Sequence, residues 1–369
     1  MHTHAQNTPF LDSVDQMKQI DIHNALGSIE QLTQQIQEVW ELGKDIVVPK
    51  EYANPHHIVV CGMGGSILGT DVIKSLYSDT LPSPITIVPD YKLPAFVNEN
   101  SLVIAASYSG TTEETWTALQ EAHKRGAKIA GVTSGGTIGE FLTKNNLPRL
   151  LFSTKHNPCG IAKMGLGYSI FGQIALFHAL GLIHLEQSDF QTILSSVAAA
   201  QVNMNIHTTQ ENNVAKLLAF QLFDRIPYIM AADHLVGAAH VFTNQLNENA
   251  KTTAEYHVIP ELNHHLLEAF DFPKTGKDQV SWVTLHSDLY QKDNSQRVNL
   301  TQQALEDHSI EFYEFKTTET TQLGQVFEVL TLGTYTSFYL AMLYSVDPGP
   351  IPVVDWFKAE HKKLKASAN

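Results

Sequence analysis

The sequence predicts an α/β protein built of two halves, each a parallel sheet wrapped by helices. Three observations carry this expectation. Short runs rich in Val and Ile alternate with amphipathic segments, the pattern of parallel βαβ units. The alternation runs twice, once on either side of a polar bridge at residues 201–213. The chain is 369 residues long, whereas a single domain ordinarily takes about 150.

Taken in order, residues 1–12 (MHTHAQNTPFLD) are polar and aperiodic and read as a flexible terminus. From Ser13 the apolar residues Met17, Ile20, Ile29, Leu32, Ile36, Val39 and Trp40 fall near helical spacing, until Pro49 closes the segment. Strands are expected at 58–61, 85–88, 102–106, 128–133 and 150–153, each followed by turn residues and then a helical pattern. These belong to a first subdomain that, with the N-terminal helix, spans 13–205. A second, at 206–346, repeats the pattern with strands at 228–232, 255–259, 280–285 and 311–315. The remainder, 347–369, opens on prolines, ends in a basic helical pattern and is expected to fold back across the subdomains.

Composition narrows the function classes. Hydrophobic residues make up 43% of the chain and charged ones 17%, enough apolar surface for a large core and no signature of disorder. The 24 Lys and Arg face 38 Asp and Glu, a net charge of −14. That sign argues against nucleic acid and anionic membranes, whose binders work by neutralising phosphates. An anionic ligand must then be held by a local site. Cys61 and Cys159 lie far apart, and no basic-then-apolar leader precedes the fold, so no disulfide framework and a cytoplasmic location are expected. Two long uncharged stretches, 164–185 and 329–346, are interrupted by Gln173, His178 and His184, or by Gly333 and hydroxyls. Without flanking Lys or Arg they read as buried helices of a domain or subunit interface rather than membrane spans.

Two loops carry the chemistry of the first half. Ile58-Val-Val-Cys-Gly-Met-Gly-Gly-Ser-Ile-Leu-Gly69 is a β-run feeding a glycine turn that opens into a helix. Gly64 and Gly65 allow close backbone approach, and the free N–H groups of the turn and helix attract an anion. It is not a dinucleotide fingerprint, because Ile67 stands where Gly or Ala is needed, and no Lys follows Gly69 as a P-loop requires. The second loop, Leu102-Val-Ile-Ala-Ala-Ser-Tyr-Ser-Gly-Thr-Thr-Glu-Glu114, gathers Ser107, Ser109, Thr111 and Thr112 between a strand and a helix. Hydroxyls and backbone N–H groups can hold a phosphate monoester without metal or basic patch. Ser109 or Thr111 can also serve as a helix N-cap, with Glu113 or Glu114 in the first turn.

Together, Gly62-Met-Gly-Gly-Ser66 and Ser107-Tyr-Ser-Gly-Thr-Thr-Glu-Glu-Thr115 resemble a sugar isomerase (SIS) domain, particularly that of the bifunctional phosphoglucose/phosphomannose isomerase family. The resemblance implies two flavodoxin-like parallel-sheet subdomains with N- and C-terminal helical segments. It assigns the sugar phosphate to Ser66, Ser107, Ser109 and Thr112. The family's usual Asn in the second loop is replaced here by Thr111.

Aldose–ketose isomerisation needs a base, a donor for the enediolate and groups that open the sugar ring. Asn244-Gln-Leu-Asn-Glu-Asn-Ala-Lys251 and Pro260-Glu-Leu-Asn-His-His265 resemble the family's next motifs, which make Glu248 the base and His264 the ring-opening residue. By themselves, Glu248 and Lys251 read equally as a solvated i,i+3 pair. Asp347-Pro-Gly-Pro-Ile-Pro-Val-Val-Asp-Trp-Phe-Lys358 resembles the terminal motif, where Lys358 works with the histidine on the ring oxygen. The family usually carries an Arg on the enediolate where this chain has Lys163, which keeps the charge and loses the planar fork. Cys159, nearby, reads as structural.

The resemblance implies a cofactor-free enzyme, and the sequence has no His-Glu-x-x-His or Cys-x-x-Cys that would hold a metal. It implies a homodimer whose active site is shared, the histidine reaching across from the neighbouring subunit. The expected reaction interconverts glucose 6-phosphate, or mannose 6-phosphate, with fructose 6-phosphate through a cis-enediolate. The alternatives are an isomerase of another phosphosugar and a sugar-phosphate-sensing regulatory protein. The latter ordinarily carries a DNA-binding or partner module, and none is visible here.

Overall fold

The computed structural model describes residues 10–368. Helices α1 (Val14–Ile20), α2 (Ala25–Glu30) and α3 (Leu32–Lys44) lead into β1 (His57–Cys61). The first half continues with α4 (Leu68–Leu76), β2 (Ile85–Val88), β3 (Ser101–Ser107), α5 (Glu113–Lys124), β4 (Lys128–Thr133), α6 (Gly136–Lys144) and β5 (Arg149–Leu151). Helices α7 (Gly172–Ala179), α8 (Gln187–Met204) and α9 (Val214–Leu222) cross to the second half. That half is β6 (Ile226–Ala232), α10 (Val236–Asn249), β7 (Glu255–Ile259), the short α11 (Gly276–Gln279), β8 (Val280–His286), α12 (Lys292–Asp307), β9 (Phe312–Lys316) and α13 (Gln322–Leu343). Helix α14 (Pro352–Ala368) closes the chain.

The strands form two sheets, ordered β2-β1-β3-β4-β5 and β7-β6-β8-β9, with every pairing parallel. In both, the first strand lies inside its sheet and the chain then builds outward on either side. This order makes a crevice where the winding reverses, beyond the carboxyl ends of β1 and β3 or of β6 and β8. Strand β3 is buried along its whole length, as a strand covered by helices on both faces must be, and its Leu-Val-Ile-Ala run reflects that.

Helix α13 is where the halves meet. Its 22 residues are apolar enough to cross a membrane, yet 94% of its most apolar window is buried in the fold, packed on α8, α9 and α10. Each Leu or Phe it buries is worth about 1.5–3 kcal/mol. One apolar core consequently runs from α3 and α7 through α13 to the second sheet, while a separate cluster under α5 and α6 seals the far face of the first sheet. At the seam α10 approaches α4 so closely that a Cβ on Gly237 would meet Val72 Cα at 2.5 Å.

Two expectations are sharpened here. Of the fates expected for the uncharged stretches 164–185 and 329–346, a domain or a subunit interface, the structure shows the first: both are largely buried in the core of a single chain. The terminus expected to be flexible through residue 12 lies outside the described residues up to residue 9, but Phe10–Asp12 form a packed 3-10 turn with Leu11 buried. Asp12 Oδ1 accepts from Gln210 N (2.8 Å) and from Lys216 Nζ (3.1 Å). Lys216 is fully buried and also donates to Ile206 O and Thr208 O, which fastens the polar bridge.

Candidate active site

The first crevice is built from two strand ends. Beyond β1, Gly64 sits at φ +51°, a left-handed conformation that opens the turn Gly64–Ser66, and the space beside Gly64 and Gly65 is open. Beyond β3, Ser107 Oγ lies 2.9 Å from Thr112 Oγ1, and Ser109 Oγ 3.0 Å from Thr111 Oγ1. Ser66 Oγ joins the two loops by accepting from Tyr108 N (3.2 Å). The capping expectation is corrected: the N-cap of α5 is Thr112, not Ser109 or Thr111, and it makes no side-chain cap. Its hydroxyl is turned to Ser107 instead, which leaves the first-turn N–H groups of α5 beside a hydroxyl cluster.

A buried glutamine fixes the glycine turn. Gln173, fully buried on α7, donates to Ser66 O (2.8 Å) and to Ser169 O (2.7 Å), and its Oε1 accepts from Thr70 Oγ1 (2.6 Å). Sequence reasoning saw this residue only as a polar interruption of an apolar stretch. That interruption was itself the signal, since a buried amide must find partners.

Glu248 enters from the other half, on the last turn of α10. It shares a tight recess of about 30 Å³ with Gly65, Lys163, Ser169 and Asn244. Burial holds its carboxyl above the ordinary range, against the pull of Lys163, Lys251 and Lys358. Lys163, on the turn Ala162–Met164, donates from Nζ to Glu248 O at 2.6 Å. Burial, and then the charge of Lys251, push its ammonium down to about 7, with Glu248 opposing. A base kept basic and a cation kept poised near neutrality are what proton transfer beside a developing oxyanion requires. A larger concavity of about 540 Å³ lies elsewhere, between α4 and the loop after β6. None of the sequence motifs falls there.

Comparison with known proteins decides the family. The chain is 31% identical over 339 residues to a bifunctional phosphoglucose/phosphomannose isomerase of Caldicellulosiruptor bescii, covering 92% of this chain and 99% of that one. The chain belongs to the bifunctional phosphoglucose/phosphomannose isomerase family. A relative of the same description from Aquifex aeolicus is 27% identical, covering 83% of this chain and 90% of that one. Residues 211–360 match the model of the bacterial phospho-glucose isomerase C-terminal SIS domain. The crystal structure of a glucose-6-phosphate isomerase from Chlamydia trachomatis shares the fold, with a TM-score of 0.71 at 13% identity over 98% of this chain and 85% of that one.

Of the residues that the family resemblance singled out, the fold gathers most at one cleft. Gly65, Glu248 and Lys163 line one recess, and Ser66, in the same glycine turn as Gly64 and Gly65, ties that turn to the loop that carries Ser107, Ser109 and Thr112. Lys358, exposed on α14, is near enough to act electrostatically on Glu248. His264 is not brought in. It is exposed on the turn Glu261–His264 after β7, is not among the groups acting on Glu248, and its neighbour His265 pairs with Glu261 (2.8 Å). Lys251 proves to be no solvated partner of the Glu248 side chain, since its ammonium binds main-chain carbonyls. Among the described residues, no three His, Cys, Asp or Glu side chains converge as a metal site would need.

Proposed function

We propose that this cleft interconverts glucose 6-phosphate or mannose 6-phosphate with fructose 6-phosphate, by proton transfer through a cis-enediolate. The observation that carries the reading is a buried carboxylate on one half that shares a recess with the glycine turn of the other, the turn that Ser66 ties to the hydroxyl loop. The hydroxyls of Ser66, Ser107, Ser109 and Thr112, with the N–H groups of both turns and of the start of α5, hold the phosphate. Glu248 removes the proton from C2 of the aldose and returns it to C1, and the reverse reaction runs the same path. The enediolate oxygens gather charge during this step, and Lys163 answers it across the recess. Lys358 and His264 of the partner subunit assist ring opening by moving a proton at the ring oxygen.

A homodimer is part of this reading. His264 does not line the recess that holds Glu248 within one chain, and α14 exposes Val353, Trp356, Phe357 and Leu364 at helical spacing. That stripe, rather than the uncharged core helices, is apolar surface that a second copy can cover. A soluble, cytoplasmic setting belongs to the same reading, supported by two free cysteines and an apolar helix buried in the core.

The test is a coupled assay on a panel of hexose, amino-sugar and heptose phosphates, run on the wild type and on Glu248→Gln. The wild type is expected to convert fructose 6-phosphate and to exchange solvent deuterium into C2 of its aldose product. Glu248→Gln is expected to lose about 10²- to 10⁴-fold in kcat, the range of a general base. Full activity in that variant would overturn the role of Glu248. Turnover confined to amino-sugar or heptose phosphates would overturn the substrate.

A further inference from the structure

Lys251 is a non-glycine residue at φ +58°, directly after the cap of α10. Thr252 N returns to Leu246 O (3.3 Å), closing the end of α10 across a left-handed residue, a backbone conformation that ordinarily favours Gly. A side chain held there at conformational cost asks for a compensating role. Lys251 Nζ donates to Glu248 O (2.6 Å), Pro350 O (2.6 Å) and Pro348 O (3.3 Å), so all three ammonium hydrogens have acceptors. The carbonyl of Glu248 is the one that Lys163 also binds, and Pro348 and Pro350 belong to the segment leading into α14. The same segment is pinned from its other side, where Asp347 Oδ2 meets His23 Nδ1 at 2.6 Å.

We propose that Lys251 is a positioning residue of the site: its ammonium clasps residues 348–350 to the end of α10, so that α14 presents Lys358 to Glu248 and Lys163 keeps its seat on the shared carbonyl. The proposal deepens the isomerase reading and rests on it for its kinetic consequences. The clasp itself is tested without substrate. The titratable groups around the pair are Glu248 from α10, Asp347 from the pinned segment and Cys159 from the loop after β5, with Lys358 facing Glu248 from α14. Removing the charge of Lys251 takes a repelling ammonium from beside Lys163, which then holds its proton to higher pH.

The experiment compares Lys251→Met, Lys251→Gln and Lys251→Arg in the full chain. Hydrogen exchange across 352–368 is expected to quicken in the Met variant, with partial protection returning in Arg. In both uncharged variants kcat is expected to fall on the order of 10- to 100-fold, the scale of a misplaced catalytic group. KM should stay within about twofold, because the phosphate loops sit on the first sheet, and the alkaline limb of kcat should move to higher pH. Gln keeps two N–H donors without the charge and serves if Met fails to fold. Unchanged exchange in α14 overturns the clasp, and a fall in kcat with the alkaline limb unmoved overturns the coupling to Lys163. A wild type without isomerase activity would count against the proposed function alone, because the exchange result stands by itself.

Discussion

The two halves use one strand order and yet line their crevices differently. Between β1 and β3 the chain leaves hydroxyls clustered beside the open space at Gly64 and Gly65. Beyond β6 and β8 a concavity of about 540 Å³ is bordered by Asp233, His234, Leu289 and Gln291, and the polar groups along it bond mostly to one another. Gln325 Oε1 accepts from Ser287 Oγ (2.6 Å) and bonds His234 Nε2 (2.8 Å), while Gln325 Nε2 donates to Glu319 O (2.8 Å). Asp233 accepts from Gln291 N (2.8 Å) and Asn294 Nδ2 (2.6 Å), and Tyr290 closes the floor through Leu285 O (2.7 Å). Polar groups satisfied from within hold a fold together, and polar groups left facing a gap can bind. The second half therefore gives its chemistry from elsewhere, from the far end of α10 where Glu248 and Lys251 stand.

The largest effect should come from breaking the open crevice. Ser107→Ala combined with Thr112→Val removes two hydroxyls from the phosphate. At about 1.5–3 kcal/mol for each bond to a charged group, KM for the phosphosugar should rise about 100-fold or more. The second crevice should answer differently. Gln325→Leu strands Ser287 and His234 in a buried network and should cost about 1–3 kcal/mol of stability, read as a lower urea midpoint at unchanged slope, with kcat and KM unaltered. A rise in KM from Gln325→Leu would make the second crevice a ligand site too and erase the distinction.

The contrast between the two crevices also bears on what the sequence made legible. Strands such as 128–133 and 255–259 were readable to the residue, because Val- and Ile-rich runs bounded by turn chemistry have few other fates. The hydroxyl loop was readable because clustered Ser and Thr after a strand imply a ligand more readily than a core. Lys251 was not. Its role depends on a left-handed backbone and on carbonyls nearly a hundred positions away, at Pro348 and Pro350. Local spacing offered only Glu248 as its partner. The internal fate of 329–346 was equally hidden, since an apolar helix reads alike whether its neighbour comes from the same chain or another.

A smaller effect, on pH, separates the neutral hydroxyl loops from the charged groups around Glu248. Glu248 must be ionised to act as base, so activity should rise through its burial-raised value, above the usual carboxylate range. Lys163 must be protonated to meet the enediolate, so activity should fall as pH climbs past about 7. One unit beyond, at pH 8, wild-type kcat/KM should stand about tenfold below its plateau. Lys163→Arg keeps its charge throughout and should abolish that alkaline limb. The Ser107 and Thr112 variants, lacking any titrating group, should keep the wild-type profile at a lower level. A limb that survives in Lys163→Arg would assign it to another group.

The smallest expected effect decides which half owns the C-terminal helix. At its far end α14 reaches the first half through Lys365, which pairs with Glu113 in the first turn of α5 and lies over the Tyr91 ring at 5.2 Å. Both partners of that pair are about half exposed, so solvent screens them, and holding two long side chains in one geometry offsets much of the gain. At its near end the helix is tied to the second half by the Lys251 carbonyl bonds, while Asp347, just before it, meets His23 of the N-terminal segment. Lys365→Ala should therefore leave Tm unchanged within measurement and leave hydrogen exchange in 352–358 as in the wild type, while Lys251→Met quickens it. If Lys365→Ala releases the helix as fully as Lys251→Met, α14 belongs to the phosphate half, and Lys358 follows the open crevice rather than Glu248.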